Sequence, residues 1–152
     1  MIEKRLVVRP DWIDGNGHMH DARYVDAFHA GAEEMFDRAG LGLDYRKTGF
    51  ALFQLGMNLD YLRELFEGDP LRVSVKLLDF NHKLIHMYLE LYHEGTGLLC
   101  ATNERLLIHV NLSTRKSAPI PADNAGRLYE VRRECSVLPL PANLGRSLSI
   151  RR

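Results

Sequence analysis

The stretch Trp12-Ile13-Asp14-Gly15-Asn16-Gly17-His18-Met19-His20-Asp21-Ala22-Arg23-Tyr24 sets a carboxylate in a glycine-rich loop just before an amphipathic segment. A helix that starts there leaves its first backbone N–H groups without intrahelical partners, and its dipole is positive at that end. Such groups stabilise a developing oxyanion. In that setting Asp14 can attack a carbonyl or take a proton from water. An aspartate at such a position also serves as a loop or capping residue, so the loop alone leaves both roles open. His18 and His20 form an H-x-H pair with His29 further along, but no third ligand for a metal is evident. No phosphate-binding glycine loop, G-x-S-x-G elbow or C-x-x-C pair occurs, so dinucleotide-cofactor, serine-hydrolase and thioredoxin chemistry lack their signals.

The elements that must position Asp14 are legible from periodicity. Ile2 to Arg9 reads as a strand, and Asp11 to His20 as a loop. With Asp21 as a plausible N-cap, Tyr24, Val25, Phe28, Ala32, Met35, Phe36 and Ala39 recur at helical spacing until Gly40. Ala27, Ala30, Gly31 and Ala32 keep that helix thin enough to lie close to a sheet. Period-two runs follow at Phe50 to Tyr61, Leu71 to Leu77 and Ile85 to Leu91, then a more evenly apolar run from Leu98 to Val110. Short turns join the last three, which predicts an antiparallel meander. A shorter second helix is expected over 122–134. The chain divides into a domain over 1–135 and an irregular tail over 136–152 that carries Pro139, Pro141, Asn143 and Gly145. One long helix against five or six strands is an α+β layer architecture in which the sheet curls around the helix. The opposite sheet face carries aromatics and histidines, so that face or the sheet edge is expected to meet another subunit.

The 152 residues suit one domain and a core that needs no staples. Lys plus Arg and Asp plus Glu both number 20, which is not the footprint of a nucleic-acid partner. The balance is uneven: from Ser113 onward eight basic residues face three acidic ones, net +5, which leaves −5 for the remainder. That segment is either a solvated face or a docking surface for a small polyanion. No apolar run of about 18 residues is present to span a membrane. The charged N-terminus reads as a strand and not a signal peptide, so the expected compartment is the cytoplasm. Cys100 and Cys135 fit no metal or redox spacing and read as free thiols.

Asp14, Gly15, Asn16-Gly17-His18 and Tyr24, set between a first strand and a long helix, resemble the motif of the hotdog-fold acyl-CoA thioesterases of the 4-hydroxybenzoyl-CoA thioesterase type. The likeness continues through Phe28, Gly40-Leu41, the strand series and Ser113-Thr114-Arg115-Lys116 with Pro119 and Pro121, roughly residues 2 to 135. It implies a hotdog fold that works as a homodimer or dimer of dimers. The acyl-CoA substrate would lie at the subunit interface with its carbonyl aimed at the helix N-terminus. Asp14 would be the nucleophile or general base, and a backbone N–H near Met19 to Asp21, with His18 and His20 beside it, would complete the catalytic group. Many such relatives carry a second acidic residue where this chain has Trp12. The sequence also resembles the thioesterases associated with carnitine breakdown, which implies a betainyl-CoA substrate. Trp12, Asn16, Tyr24 and Phe28 would then meet the acyl group, Trp12 by cation–π contact, and Arg115 and Lys116 the CoA phosphates. The alternatives are a hotdog hydratase or dehydratase, which needs a His paired with an acid, and an acyl-CoA-binding module without turnover.

Overall fold

A computed structural model describes residues 1–145. Five strands, β1 (Ile2–Val7), β2 (Phe50–Tyr61), β3 (Pro70–Phe80), β4 (Leu84–His93) and β5 (Leu99–Asn111), form one sheet in the order β1-β3-β4-β5-β2. Every neighbouring pair is antiparallel, including the expected β3-β4-β5 meander. Two helices, α1 (Asp21–Arg38) and α2 (Ala122–Cys135), pack on the inner face.

The packing of α1 follows from its composition. Ala27, Phe28, Ala32 and Met35 are buried in one cluster with Leu71, Val73 and Val75 of β3 and Met87, Leu89 and Leu91 of β4. Gly31 faces β3 so closely that an added Cβ would lie 2.9 Å from the Val73 Cβ. The thin middle of the helix therefore sets the helix–sheet distance. Gly40 adopts φ +70°, and the Leu41 N–H reaches back to the Phe36 carbonyl at 2.7 Å, which closes the helix in the usual glycine-terminated way. At the other end the N-cap is His20 and not Asp21. His20 is extended and its Nδ1 faces the Ala22 N–H at 3.1 Å, while the Asp21 carboxylate reaches the same N–H at 2.7 Å from inside the helix. A ring nitrogen here shares the acceptor role that the sequence assigned to a carboxylate alone.

Two short 3₁₀ segments, Pro10–Trp12 and Leu43–Thr48, have no counterpart in the sequence reading. The outer sheet face is partly covered by the chain itself. After α2, residues 136–145 run as turns across it, and Asn143 joins three elements there. Its Oδ1 accepts from the Tyr88 hydroxyl at 2.7 Å, and its Nδ2 donates to Asp60 at 2.9 Å and to Thr102 at 3.2 Å. The Gly145 N–H donates to Glu104 at 2.9 Å, and that carboxylate also meets His86 at 2.8 Å. Much of the alternate face over 86–92, expected to meet another subunit, is thus used within one chain. The rest of the expected tail, 146–152, lies outside the described residues, as do Arg146, Arg151 and Arg152 of its basic segment.

The sheet edge differs. β2 is a terminal strand, and along it Phe53, Leu55 and Met57 are exposed, as is Leu106 on β5 next to it. A bulge at Leu55 interrupts the β2-β5 ladder between Gln54 and Gly56, and the Gln54 amide donates to the Leu106 carbonyl at 2.9 Å there. An apolar edge strand of 12 residues is a template for pairing with another chain.

Candidate active site

The Asp14 loop is held by its own backbone and by a neighbour distant in sequence. The Asp14 N–H donates to the His18 carbonyl at 3.0 Å, and the Gly17 N–H returns to the Asp14 carbonyl at 3.2 Å. Gly17 has φ +88°, a conformation that most side chains would strain. A bridge between Ile13 and Met19 closes the loop. Residues 62–65, just after β2, form the facing wall: the Leu62 and Arg63 N–H groups donate to the Cys100 carbonyl, and the Met19 N–H donates to the Leu65 carbonyl at 2.7 Å.

These segments surround an open cavity of about 480 Å³ that Asp14, His18, Asp21, Tyr24, Tyr61 and Glu64 help to line. The Asp14 side chain is 19% exposed. One carboxylate oxygen accepts the Asn16 N–H at 2.8 Å, and the other lies 3.7 Å from His18 Nδ1. His18 Nε2 stands 4.0 Å from Glu64 on the facing wall. The carboxylate is therefore oriented by one amide and keeps its second oxygen toward the cavity side occupied by the imidazole. Burial, with smaller contributions from the Cys100 thiol and Tyr61, pushes the Tyr24 phenol up to about 12. Burial and then Asp21 raise that of Tyr61. Both stay protonated at neutral pH and act as donors, Tyr24 to the Arg63 carbonyl and Tyr61 to the Asp21 carbonyl, each at 3.0 Å.

The residues expected to form the site separate into groups. Asp14, His18, His20 and Tyr24 come together around the cavity. The amides of Met19 and His20, expected to polarise a carbonyl, are already engaged by the Leu65 and Trp12 carbonyls at 2.7 and 2.8 Å, and the Met19 side chain is core. Of the three candidates this leaves the Asp21 N–H, the first of the helix. Asn16 contributes its backbone N–H to Asp14 and does not line the cavity. Phe28 is fully buried beneath the helix, away from the cavity. Trp12 does not line the cavity either. The 3₁₀ turn directs it into the core, where it is 8% exposed, and the Arg9 guanidinium lies 5.8 Å from its ring centroid. Arg115 and Lys116 follow β5 at the Phe50 end of β2, whereas the cavity is at the Tyr61 end. Eleven residue steps of strand separate those ends by roughly 35 Å, so within one chain they cannot meet. Arg115 instead lies over Phe53, 5.8 Å from its ring centroid.

The wall formed by Tyr61, Arg63 and Glu64 escapes sequence reading because it lies about 50 residues past Asp14. Its only signal is its place directly after the second period-two run. Among the described residues no three His, Cys, Asp or Glu side chains are grouped to hold a metal. A second cavity of similar size opens on the outer face beside His86 and Glu104, but those two are bonded to each other and its lining residues come from strands and the β3-β4 turn.

Comparison with known proteins gives a consistent likeness. Residues 8–128 match the model of the thioesterase-like superfamily. The chain is 33% identical over 144 residues to a betainyl-CoA thioesterase of Pseudomonas aeruginosa, covering 94% of this chain and 91% of that one. It is 27% identical to an L-carnitine dehydrogenase/betainyl-CoA thioesterase of Rhizobium meliloti, covering 95% of this chain but only 29% of that longer protein. A Staphylococcus aureus protein solved in complex with CoA superposes with a TM-score of 0.92 at 30% identity, over 99% of this chain and 95% of the other.

Proposed function

This chain belongs to the thioesterase-like superfamily and has its hotdog arrangement, and from that premise we propose how it hydrolyses an acyl-CoA to a free acid and CoA. The observation that carries the reading is the Asp14 carboxylate, fixed by the Asn16 N–H at the mouth of a cavity that begins at the N-terminus of α1. The thioester carbonyl oxygen points at the Asp21 N–H and the positive end of the helix dipole. Asp14 then adds directly to the carbonyl carbon or takes a proton from the attacking water. In both routes the C–S bond breaks, CoA leaves as the thiol, and one water is consumed. His18, 3.7 Å from Asp14, is the side chain placed to hold or pass on the proton that the reaction moves.

The acyl group we assign is betainyl, the substrate named for two of the relatives above. The working unit is a homodimer made by β2 edges. Pairing two such edges about a two-fold axis sets the strands antiparallel, so the Phe50 end of one lies beside the Tyr61 end of the other. That arrangement brings the partner subunit's Arg115 and the partner subunit's Lys116 toward the Asp14 cavity, where they would meet the CoA phosphates. The exposure of Phe53, Leu55 and Met57 along this edge supports it, since such pairing would cover them. A reducing cytoplasm suits the two free thiols, Cys100 and Cys135, and no helix among the described residues is long and apolar enough to cross a membrane.

Thiol release from a panel of acyl-CoAs tests the reading, with a parallel assay for hydration of an enoyl-CoA. The expected result is release with betainyl-CoA among the best substrates and no hydration. Hydration without thiol release would overturn it in favour of a hydratase that uses His18 and Asp14.

A further inference from the structure

Tyr24 and Tyr61 meet edge to face in the Asp14 cavity, with ring centroids 5.1 Å apart and planes at 81°. Each is tethered at its oxygen to a backbone carbonyl, so the rings hold their positions. Tyr24 is buried, whereas Tyr61 is 52% exposed and lines the opening. Around them stand the carboxylates of Asp14, Asp21 and Glu64 and one guanidinium, Arg63. Within one chain these are three carboxylates against one guanidinium, and the basic pair proposed from the partner subunit is matched by the CoA phosphates. The helix dipole adds partial positive charge where a carbonyl oxygen belongs, so this excess of carboxylates serves something other than the thioester carbonyl.

We propose that the Tyr24–Tyr61 corner, with Asp21 and Glu64, is the subsite for a quaternary ammonium on the acyl group. The proposal rests on the betainyl reading above and assigns the side chains that select for the cation. Covalent geometry limits where the cation can sit. In a betainyl thioester the ammonium nitrogen is two bonds from the carbonyl carbon, about 2.5 Å away. With that carbon roughly 3–3.5 Å from the Asp14 carboxylate, the nitrogen is held within about 6 Å of it. The cation must therefore share the cavity with Asp14. Trp12 is buried elsewhere with Arg9 over it, and Phe53 is toward the other end of β2. Tyr24 and Tyr61 are the aromatic side chains that line this cavity. A trimethylammonium has no N–H to donate, so a carboxylate cannot hold it by hydrogen bonding. A ring face within about 6 Å attracts it while the methyl groups shed water. The carboxylates of Asp21 and Glu64 then add long-range attraction.

The test compares kcat/KM of the full chain for betainyl-CoA and for its neutral isostere 3,3-dimethylbutanoyl-CoA, and reads their ratio. Tyr61→Leu lowers the ratio by about two- to thirty-fold, the range of a cation–π contact. Tyr61→Phe keeps the ring and holds the ratio within about twofold of the parent. Glu64→Gln, an exposed change with little bearing on folding, lowers it by about two- to fivefold. A ratio unmoved by both Tyr61→Leu and Glu64→Gln, with betainyl-CoA still turned over, overturns the subsite and leaves the substrate reading intact. A parent that hydrolyses only the neutral ester removes the betainyl substrate and the subsite together. A parent that hydrolyses neither ester refutes the assignment to small acyl groups, and the subsite falls with it.

Discussion

Replacing Asp14 by Asn separates catalysis from loop structure, because the two roles use different atoms. The structural role is a single accepted hydrogen bond, Asn16 N–H to Oδ1 at 2.8 Å, which the asparagine carbonyl oxygen also accepts. The cost to folding is the difference between a charged and a neutral acceptor, about 1 kcal/mol, or a melting point lower by roughly 2–4 °C at this size. The catalytic role needs the charge. A general base contributes about 10²–10⁴-fold, so kcat should fall at least 10²-fold, which is about 2.7 kcal/mol or more of barrier. The assay follows released CoA thiol with a chromogenic thiol reagent, with a thermal melt run on the same preparation. Turnover within tenfold of the parent would refute the reasoning and return Asp14 to a loop-forming role. A single turnover in ¹⁸O-water then probes the route: label retained in Asp14 marks it as the nucleophile, through an anhydride that water opens at the Asp14 carboxyl carbon.

Three further outcomes follow from the packing. Gly31→Ala sets a Cβ against Val73, a buried branched residue that cannot swing aside, so about 1–3 kcal/mol of overpacking exceeds the roughly 1 kcal/mol gained in helix propensity, and the melting point falls; a rise would mean α1 has slack. Burial alone would raise the Glu104 carboxyl, but the Gly145 N–H and His86 outweigh it and hold the group below its ordinary value. Its contribution is therefore present above the ordinary glutamate range and lost as the pH falls through its folded value, so thermal melts between pH 6 and 3 should show a smaller acid loss for Glu104→Gln than for the parent. Leu55→Lys places a charge in the middle of the exposed β2 edge and should shift sedimentation toward the 17.4 kDa monomer with loss of turnover; an active monomer would rule out a shared site.

Much of the fold was legible because it is periodic. The α1 stripe from Tyr24 to Phe36 and the alternation at Leu71–Leu77 and Ile85–Leu91 record directly which side chains face the core. What escaped is non-local or set by the backbone. The engagement of the Met19 and His20 amides depends on carbonyls of Leu65 and Trp12, and no side-chain identity encodes a carbonyl's direction. Trp12 looked like a site residue because it is two positions from Asp14, yet one 3₁₀ turn rotates it into the core. Asn143 bonds to residues from β2, β4 and β5, and no local pattern announces such a meeting. The 3₁₀ segment over Leu43–Thr48 buries none of its side chains, so it leaves no hydrophobic period to read.

The proposed pairing at the terminal strand β2 would make the site the property of a pair and not of a chain. In the edge-paired dimer proposed above, each cavity would combine Asp14 of one chain with Arg115 of the other. Two defective chains would then repair each other. A mixture of Asp14→Asn and Arg115→Ala chains would form mixed dimers in which one cavity inherits both defects and the other inherits neither. With random exchange, roughly a quarter of all cavities would be whole, although no chain in the solution is.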